Sequence, residues 1–216
     1  MPELVIWGAG GHAQVVADII RLAGEYDIVG FLDDVNPGRA NEEFCGGKIL
    51  GGREQFIQLK ERGVRSVILA FGDCQARLRV ADWVRDEGLS LITAIHPKAV
   101  VAQGARIEVG TVVAAGAVIS PNVRIGKNVI INTCSSIDHG CAIADGVHIS
   151  PGACLGGNVT VGRGAWIGIG ATVVPRVKIG AQSIIGAGAV VLQDIPDHVV
   201  AYGNPARVSR RTEHDT

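Results

Sequence analysis

Residues 135–150 read SSIDHGCAIADGVHIS and hold two of the six histidines in a chain of 216 residues. An imidazole, with an ordinary pKa of about 6.5, can take a proton near neutral pH, ligate a metal or activate a neighbouring thiol. Spacing sorts these chemistries. His139 and His148 lie nine apart, and the other histidines in reach, His96 and His198, stand before and after the surrounding repeat. The three-ligand set of a catalytic zinc therefore has no candidate, and no metal is expected. Cys134 and Cys141 flank His139 as a Cys/His nucleophilic pair would. A free cysteine in a tightly packed position is more often an inert small apolar residue, and that reading is preferred for Cys141. What remains for His139 is proton transfer at an open surface. For His148 two readings stay open, a polar contact to a ligand or a stack on a neighbouring ring.

The elements that must position these residues form a repeat. Every sixth residue from Val101 through Ile107, Val113 and Ile119 to Val191 is Val, Ile or Leu, sixteen places in succession. The residue two places before each is small or β-branched, as at Ala105, Thr111, Ala117, Ser135, Cys141 and Ala153. A hexapeptide period with one aliphatic predicts a parallel β-helix whose bore the aliphatic columns fill. Period-2 strands alone would not select every sixth residue. Three hexads make an eighteen-residue coil, and at roughly 4.8 Å per coil the prism is about 25 Å tall. Glycine, 30 of the residues, then supplies the corners. By this phase His139 stands at a corner outside the bore, and its column holds Pro121, Gly157 and Pro175, none with a long side chain. His148 has Trp166 one coil further on its own column.

Upstream, residues 1–95 alternate between strand and helix. LVIWG, DIVGFLDD, SVILAFGD and SLITAIH read as strands; HAQVVADIIRLAG, REQFIQLKERG and CQARLRVADWVRDEG read as amphipathic helices. This is a small α/β domain with a Rossmann-like parallel sheet, followed by the all-β prism over 96–195 and a tail over 196–216. GAGGHA joins the first strand to the first helix, so Gly8, Gly10 and Ala13 fit the G-x-G-x-x-G/A pattern, with Asp33 and Asp34 closing the second strand. Such a turn can bring backbone N–H groups against a phosphate. A nucleotide or nucleotide-sugar site, a nicotinamide site and a structural tight turn all satisfy the motif. A dinucleotide asks for a larger sheet than about 95 residues supply.

Composition excludes other classes. The formal net charge is −1 with no basic run, so nucleic acid is not an expected partner. No apolar stretch approaches a membrane span and the first residues enter a strand, so a cytoplasmic protein is expected. Five cysteines without a CxxC pair argue for reduced thiols.

GAGGHA and FLDD followed by hexads containing INTCSSIDHGCAI, GVHIS and GNPAR resemble the bacterial sugar acetyltransferases typified by the bacillosamine and perosamine N-acetyltransferases and the sialic-acid O-acetyltransferases. The resemblance covers nearly the whole chain. It implies a left-handed β-helix, against the usual right-handed crossover preference, and a homotrimer with acetyl-CoA in the groove between prisms. It implies that His139 is the general base, with Asp138 beside it where several relatives carry their acid at the position of Gly140. It assigns acetyl-CoA contacts to His148, Gly157, Ile169 and Pro175. It assigns nucleotide-sugar contacts to Gly10, Gly11, His12, Asp33, Asp34 and Gly72. The implied reaction moves an acetyl group from acetyl-CoA to the amine of a nucleotide-linked sugar of the 4-amino-4,6-dideoxy type, for surface glycans such as lipopolysaccharide. The alternatives are O-acetylation of sialic acid or a related sugar and, more distantly, a trimeric non-catalytic scaffold or an NAD-binding protein.

Overall fold

Strand β1 (Glu3–Trp7) has four consecutive buried residues, the pattern of a strand covered on both faces. In α1 (Gly11–Ala23) the buried residues Ala13, Val16, Ala17, Ile19 and Ile20 recur at helical spacing. Gly24 closes α1 at φ 68, its N–H on the Ile20 carbonyl, in the left-handed cap that favours glycine. The remaining elements of this unit are β2 (Asp27–Leu32), β3 (Glu43–Phe44), β4 (Gly47–Gly51), α2 (Phe56–Glu61), β5 (Ser66–Leu69), α3 (Cys74–Asp86) and β6 (Ser90–Leu91). They come from a computed structural model that describes residues 1–212. The sheet order is β3-β4-β2-β1-β5-β6, parallel except for the β3–β4 hairpin. Trp7, Phe56 and Trp83 meet with ring centroids 5.2 to 5.3 Å apart, each pair contributing about 0.5–1.5 kcal/mol beyond its buried area.

Three details depart from the sequence reading. The β3–β4 hairpin is an addition, because β4 pairs with β2, a partner distant in sequence that local periodicity does not encode. The helix expected over REQFIQLKERG opens as a 3-10 turn, Arg53–Gln55, before α2 begins. The last expected strand, SLITAIH, is broken into Ser90–Leu91 and Ala94–Ile95.

Chain connectivity fixes where this unit can hold a ligand. From β1 the chain goes to β2 on one side, and it returns through α2 to β5 on the other. The carboxyl ends of β1 and β5 therefore flank a topological switch point, the usual ligand crevice of an open α/β sheet. Gly8 keeps the two ends close: at φ 136, a Cβ there would stand 2.6 Å from the Ala70 carbonyl oxygen.

The chain divides into two compact units, Met1–Pro97 and Lys98–Thr216. In the second, two-residue strands pair in parallel with the strand eighteen residues on, as in Val112↔Ile130, Ile130↔His148, His148↔Trp166 and Trp166↔Ile184. Three such ladders make the three faces of a parallel β-helix. Its core is the aliphatic column together with the small positions two before it, buried from Val113 to Val191; Val101, at the first coil, is 37% exposed. The corner residue three after each aliphatic takes positive φ from Gly104 through Asn122, Asn128 and Gly140 to Gly188, which is why glycine and asparagine dominate there. Beyond Val191 the chain leaves the hexad phase but extends the prism. Val199–Tyr202 pairs in parallel with Ile184–Ile185, and Arg207–Arg211 returns antiparallel on it. The last four residues of the 196–216 tail lie outside the described residues.

Candidate active site

On the prism, the Ser136–Ile137 strand delivers Asp138 and His139 to an exposed corner. The His139 ring lies directly against Gly157 on the next coil. A Cβ added to Gly157 would stand 2.7 Å from both Cε1 and Nε2 of the imidazole. Only glycine at 157 leaves the ring this seat. The main chain joins the two coils through Asn158 N–H, donating to the His139 carbonyl at 2.8 Å, and joins the second to a third through Arg176 N–H, donating to the Gly157 carbonyl at 2.9 Å. Pro175, third in the column, is exposed and packs over Gly156. Beside them an open groove runs along one prism face, lined by Ser136, Asp138, Cys154, Gly156, Thr172 and Pro175.

Asp138 turns back on the main chain. Its Oδ1 accepts the His139 backbone N–H at 2.6 Å, an Asx-type contact that fixes the peptide from which the imidazole projects. Gly140, where several relatives are expected to carry an acid, has φ 70, and a Cβ there would meet Asn158 Oδ1. A side chain at 140 would therefore need both a left-handed backbone and a displaced asparagine. Cys141 is buried, its Sγ donating to the Gly156 carbonyl at 3.2 Å. Burial pushes its thiol pKa up, with Asp138 adding to the rise, so it sits as a packed thiol rather than a nucleophile.

His148 is buried and stacks on Trp166, centroids 5.4 Å apart at 5°. Its Nε2 lies 3.3 Å from Asn132 Nδ2, while the indole N–H donates to Ser150 Oγ at 2.8 Å. The stack on Trp166 is one of the two contacts expected of this ring. Ile169, at the corner after Trp166, is 62% exposed. The prism thus groups His139, Asp138, Gly157 and Pro175 at one corner and places His148 and Ile169 on a different part of the coil.

In the first unit, Gly10, Gly11, Asp33, Asp34 and Gly72 all follow the carboxyl ends of β1, β2 or β5 and share that edge of the sheet. Gly10 is the N-cap of α1, and a Cβ at either Gly10 or Gly11 would meet nothing within 4 Å. The helix start is open, and its first N–H groups can receive an anion. The two aspartates are engaged within the protein. Asp33 accepts the N–H groups of Val35 and Asn36 at 3.0 Å and pairs with Arg39 at 3.2 Å; Arg39 in turn donates to the Ala9 carbonyl at 2.9 Å, bracing the glycine turn. Asp34 accepts the Arg53 N–H at 2.7 Å and pairs with its guanidinium at 3.2 Å. His12 is half-buried, and burial first, then the charge of Arg77, lowers its pKa to about 4. It is neutral at pH 7.

Two arginines escaped the sequence reading. Arg39 carries no local signal. Arg77 does, because it falls on the apolar face of α3 with Cys74, Leu78, Ala81 and Val84, a periodic position where a charge is out of place.

Two family models match the chain, the PglD N-terminal domain over residues 3–84 and the bacterial transferase hexapeptide repeat over 158–193. Among solved structures, a mutant of perosamine N-acetyltransferase from Caulobacter crescentus, in complex with CoA and GDP-perosamine, is 39% identical with a TM-score of 0.92, over 97% of this chain and 97% of that one. The acetyltransferase domain of PglB from Neisseria gonorrhoeae, in complex with acetyl coenzyme A, is 36% identical with a TM-score of 0.88, over 96% and 98%. Matches to curated sequences are short. A dTDP-3-amino-3,6-dideoxy-alpha-D-galactopyranose 3-N-acetyltransferase from Aneurinibacillus thermoaerophilus is 62% identical over 26 residues, 12% of this chain and 14% of that one. With a prism of eighteen-residue coils, an α/β unit before it and 39% identity across 97% of its length, the chain belongs to the bacterial sugar acetyltransferase family that includes the perosamine N-acetyltransferases.

Proposed function

We propose that this protein is an acetyl-CoA-dependent acetyltransferase that acetylates the amine of a nucleotide-linked sugar of the 4-amino-4,6-dideoxy type. The observation that carries this reading is the His139 imidazole seated on Gly157 beside an open groove, in a family with relatives named as amino-sugar N-acetyltransferases. The groove suits a thioester arm: its floor lacks a Cβ atom at Gly156, and Ser136, Cys154 and Thr172 are small. Gly157 and Pro175 would border the reacting end. Ile169 and, through its Trp166 stack, His148 would serve further along the cofactor. No metal is called for.

A thioester is already activated, so the residues have to align the acceptor, remove its proton and answer charge on the carbonyl oxygen. Nε2 of His139 takes the proton of the attacking amine as the C–N bond forms, and when the tetrahedral intermediate collapses the C–S bond breaks and the CoA thiolate leaves with that proton as free thiol. A main-chain N–H at Gly157 is the proposed donor to the oxygen. Asp138 acts through the backbone N–H of His139, setting where the ring projects. In the first unit the open start of α1 at Gly10 and Gly11 would receive the nucleotide phosphates, Gly72 and neutral His12 would contact the nucleotide, and Asp33 and Asp34 would shape the crevice through Arg39 and Arg53.

One prism face cannot enclose a cofactor as long as pantetheine, which supports a homotrimer with the groove completed by a second copy. Five free cysteines suit a reducing compartment, and the cytoplasm is the proposed location; among the described residues no helix is long and apolar enough to cross a membrane. Surface glycan assembly, lipopolysaccharide included, is the proposed destination of the product. Thiol release from acetyl-CoA, followed across UDP-, GDP- and dTDP-linked amino sugars and free sialic acid, tests the assignment. Turnover of one nucleotide-linked amino sugar supports it; turnover of sialic acid alone would replace it with O-acetylation.

A further inference from the structure

Arg77 is 1% exposed, on the first turn of α3, where a charge needs a reason. Its Nη1 donates to the carbonyls of Phe71 at 3.1 Å and Gly72 at 3.0 Å, with Asp73 at 3.4 Å, and Nη2 lies 3.8 Å from Cys74 Sγ. These carbonyls belong to the loop that leaves β5 at the switch point beside the glycine turn. In a trans peptide the C=O and the following N–H point in opposite directions. With the Phe71 carbonyl drawn towards Arg77, the Gly72 N–H points away from it; with the Gly72 carbonyl drawn in, so does the Asp73 N–H. Asp73 is held further as the N-cap of α3, its Oδ1 accepting the Ala76 N–H at 2.7 Å. Two successive donors on a braced loop make a site for an electronegative atom.

We propose that Arg77 is a positioning residue for nucleotide recognition: by gathering the Phe71, Gly72 and Asp73 carbonyls it aims the Gly72 and Asp73 N–H groups at the crevice as a donor pair for an acceptor atom of the nucleotide. This rests on the nucleotide-sugar reading given above. A second effect runs in parallel, since the same charge helps to hold His12 neutral on the other side of the crevice. Lysine would keep the charge but lose the second guanidinium contact, Nη2 to Cys74 Sγ, that fixes the plane from which Nη1 meets the three carbonyls.

Calorimetric titration of the full chain with UDP, GDP and dTDP tests the proposal, with acetyl-CoA titrated as the control for the prism and the fluorescence of the packed Trp7–Trp83 pair as the control for the fold of the first unit. One of the three nucleotides should bind the wild type. Arg77→Lys and Arg77→Gln should each weaken it by about tenfold, the worth of a mis-set hydrogen-bond pair, with acetyl-CoA affinity within about twofold of wild type. Variants that bind acetyl-CoA and the nucleotide as wild type does would reduce Arg77 to a structural brace and overturn the proposal. If neither variant folds, hydrogen exchange on the wild type decides: the Gly72 and Asp73 amides should gain protection when the nucleotide is added, and unchanged exchange would overturn the proposal. A wild type that binds none of the three would remove the nucleotide reading itself, and Arg77's part with it.

Discussion

His12 follows two open glycines at the start of α1 and is half-buried beside a buried guanidinium, whereas His139 lies on Gly157 at an exposed prism corner. The first imidazole has its pKa lowered to about 4 and stays neutral throughout the physiological range. It can accept or donate a hydrogen bond, but it is a poor store for a proton removed during a reaction. The second projects from a main chain fixed by Asp138 and by the Asn158 N–H and lies against Gly157, next to the Asp138 that lines the open groove. Burial and neighbours, more than residue type, set the two rings apart, and on the proposed function recognition falls to the shielded histidine and proton transfer to the exposed one.

The largest effect expected is at the exposed ring. His139→Ala should lower kcat by roughly 10² to 10⁴ and leave acetyl-CoA affinity nearly intact, since the ring acts when the amine is attacked and the cofactor is held by the groove. Steady-state rates beside a calorimetric Kd check this; unchanged turnover would return the proton-transfer role to another group.

His12 should show its burden in stability. Its folded pKa is depressed from 6.5 to about 4, so the unfolded chain binds the proton first as pH falls. The stability associated with the neutral ring is full above about pH 6.5 and is lost as pH falls towards 4, on the order of 3 kcal/mol across the window. Denaturant unfolding of wild type and His12→Asn between pH 4 and pH 7.5 should show a steeper acid decline in the wild type. Parallel curves would mean that His12 is not held neutral by the fold.

A smaller effect separates the ring's position from its presence. Gly157→Ala places a methyl group 2.7 Å from the His139 ring, and because a side chain rather than backbone must yield, the prism should keep its thermal midpoint. Turnover should fall by about tenfold to a hundredfold, the cost of a misplaced catalytic group. A lowered midpoint with unchanged kcat would make Gly157 a packing residue.

The prism was legible because each hexad repeats one physical demand, an aliphatic in the bore and a left-handed corner three residues later, so the phase alone put His139 over Gly157. Parts of the first unit were not. The pairing of β4 with β2 depends on chain segments about eighteen residues apart, and EEFCGGKILGG carries no local sign of its partner. FLDD marks two acids at a strand end but not that Asp33 would be taken by Val35, Asn36 and Arg39, because those contacts depend on how the excursion after β2 returns. Likewise, DH places an acid beside the histidine, while the rotamer that turns Asp138 onto the His139 N–H is a local hydrogen-bond choice the two letters do not disclose.

The central claim is that acetyl passes from acetyl-CoA to a sugar amine that is linked to a nucleotide. The wild type should be incubated with acetyl-CoA and UDP-, GDP- and dTDP-linked 4-amino-4,6-dideoxy sugars, and the recovered nucleotide products treated with hydroxylamine, which cleaves acetyl esters and spares amides. One nucleotide sugar should gain the mass of a single acetyl group and keep it after treatment. Loss of that group to hydroxylamine, or the absence of any acetylated nucleotide, would contradict it.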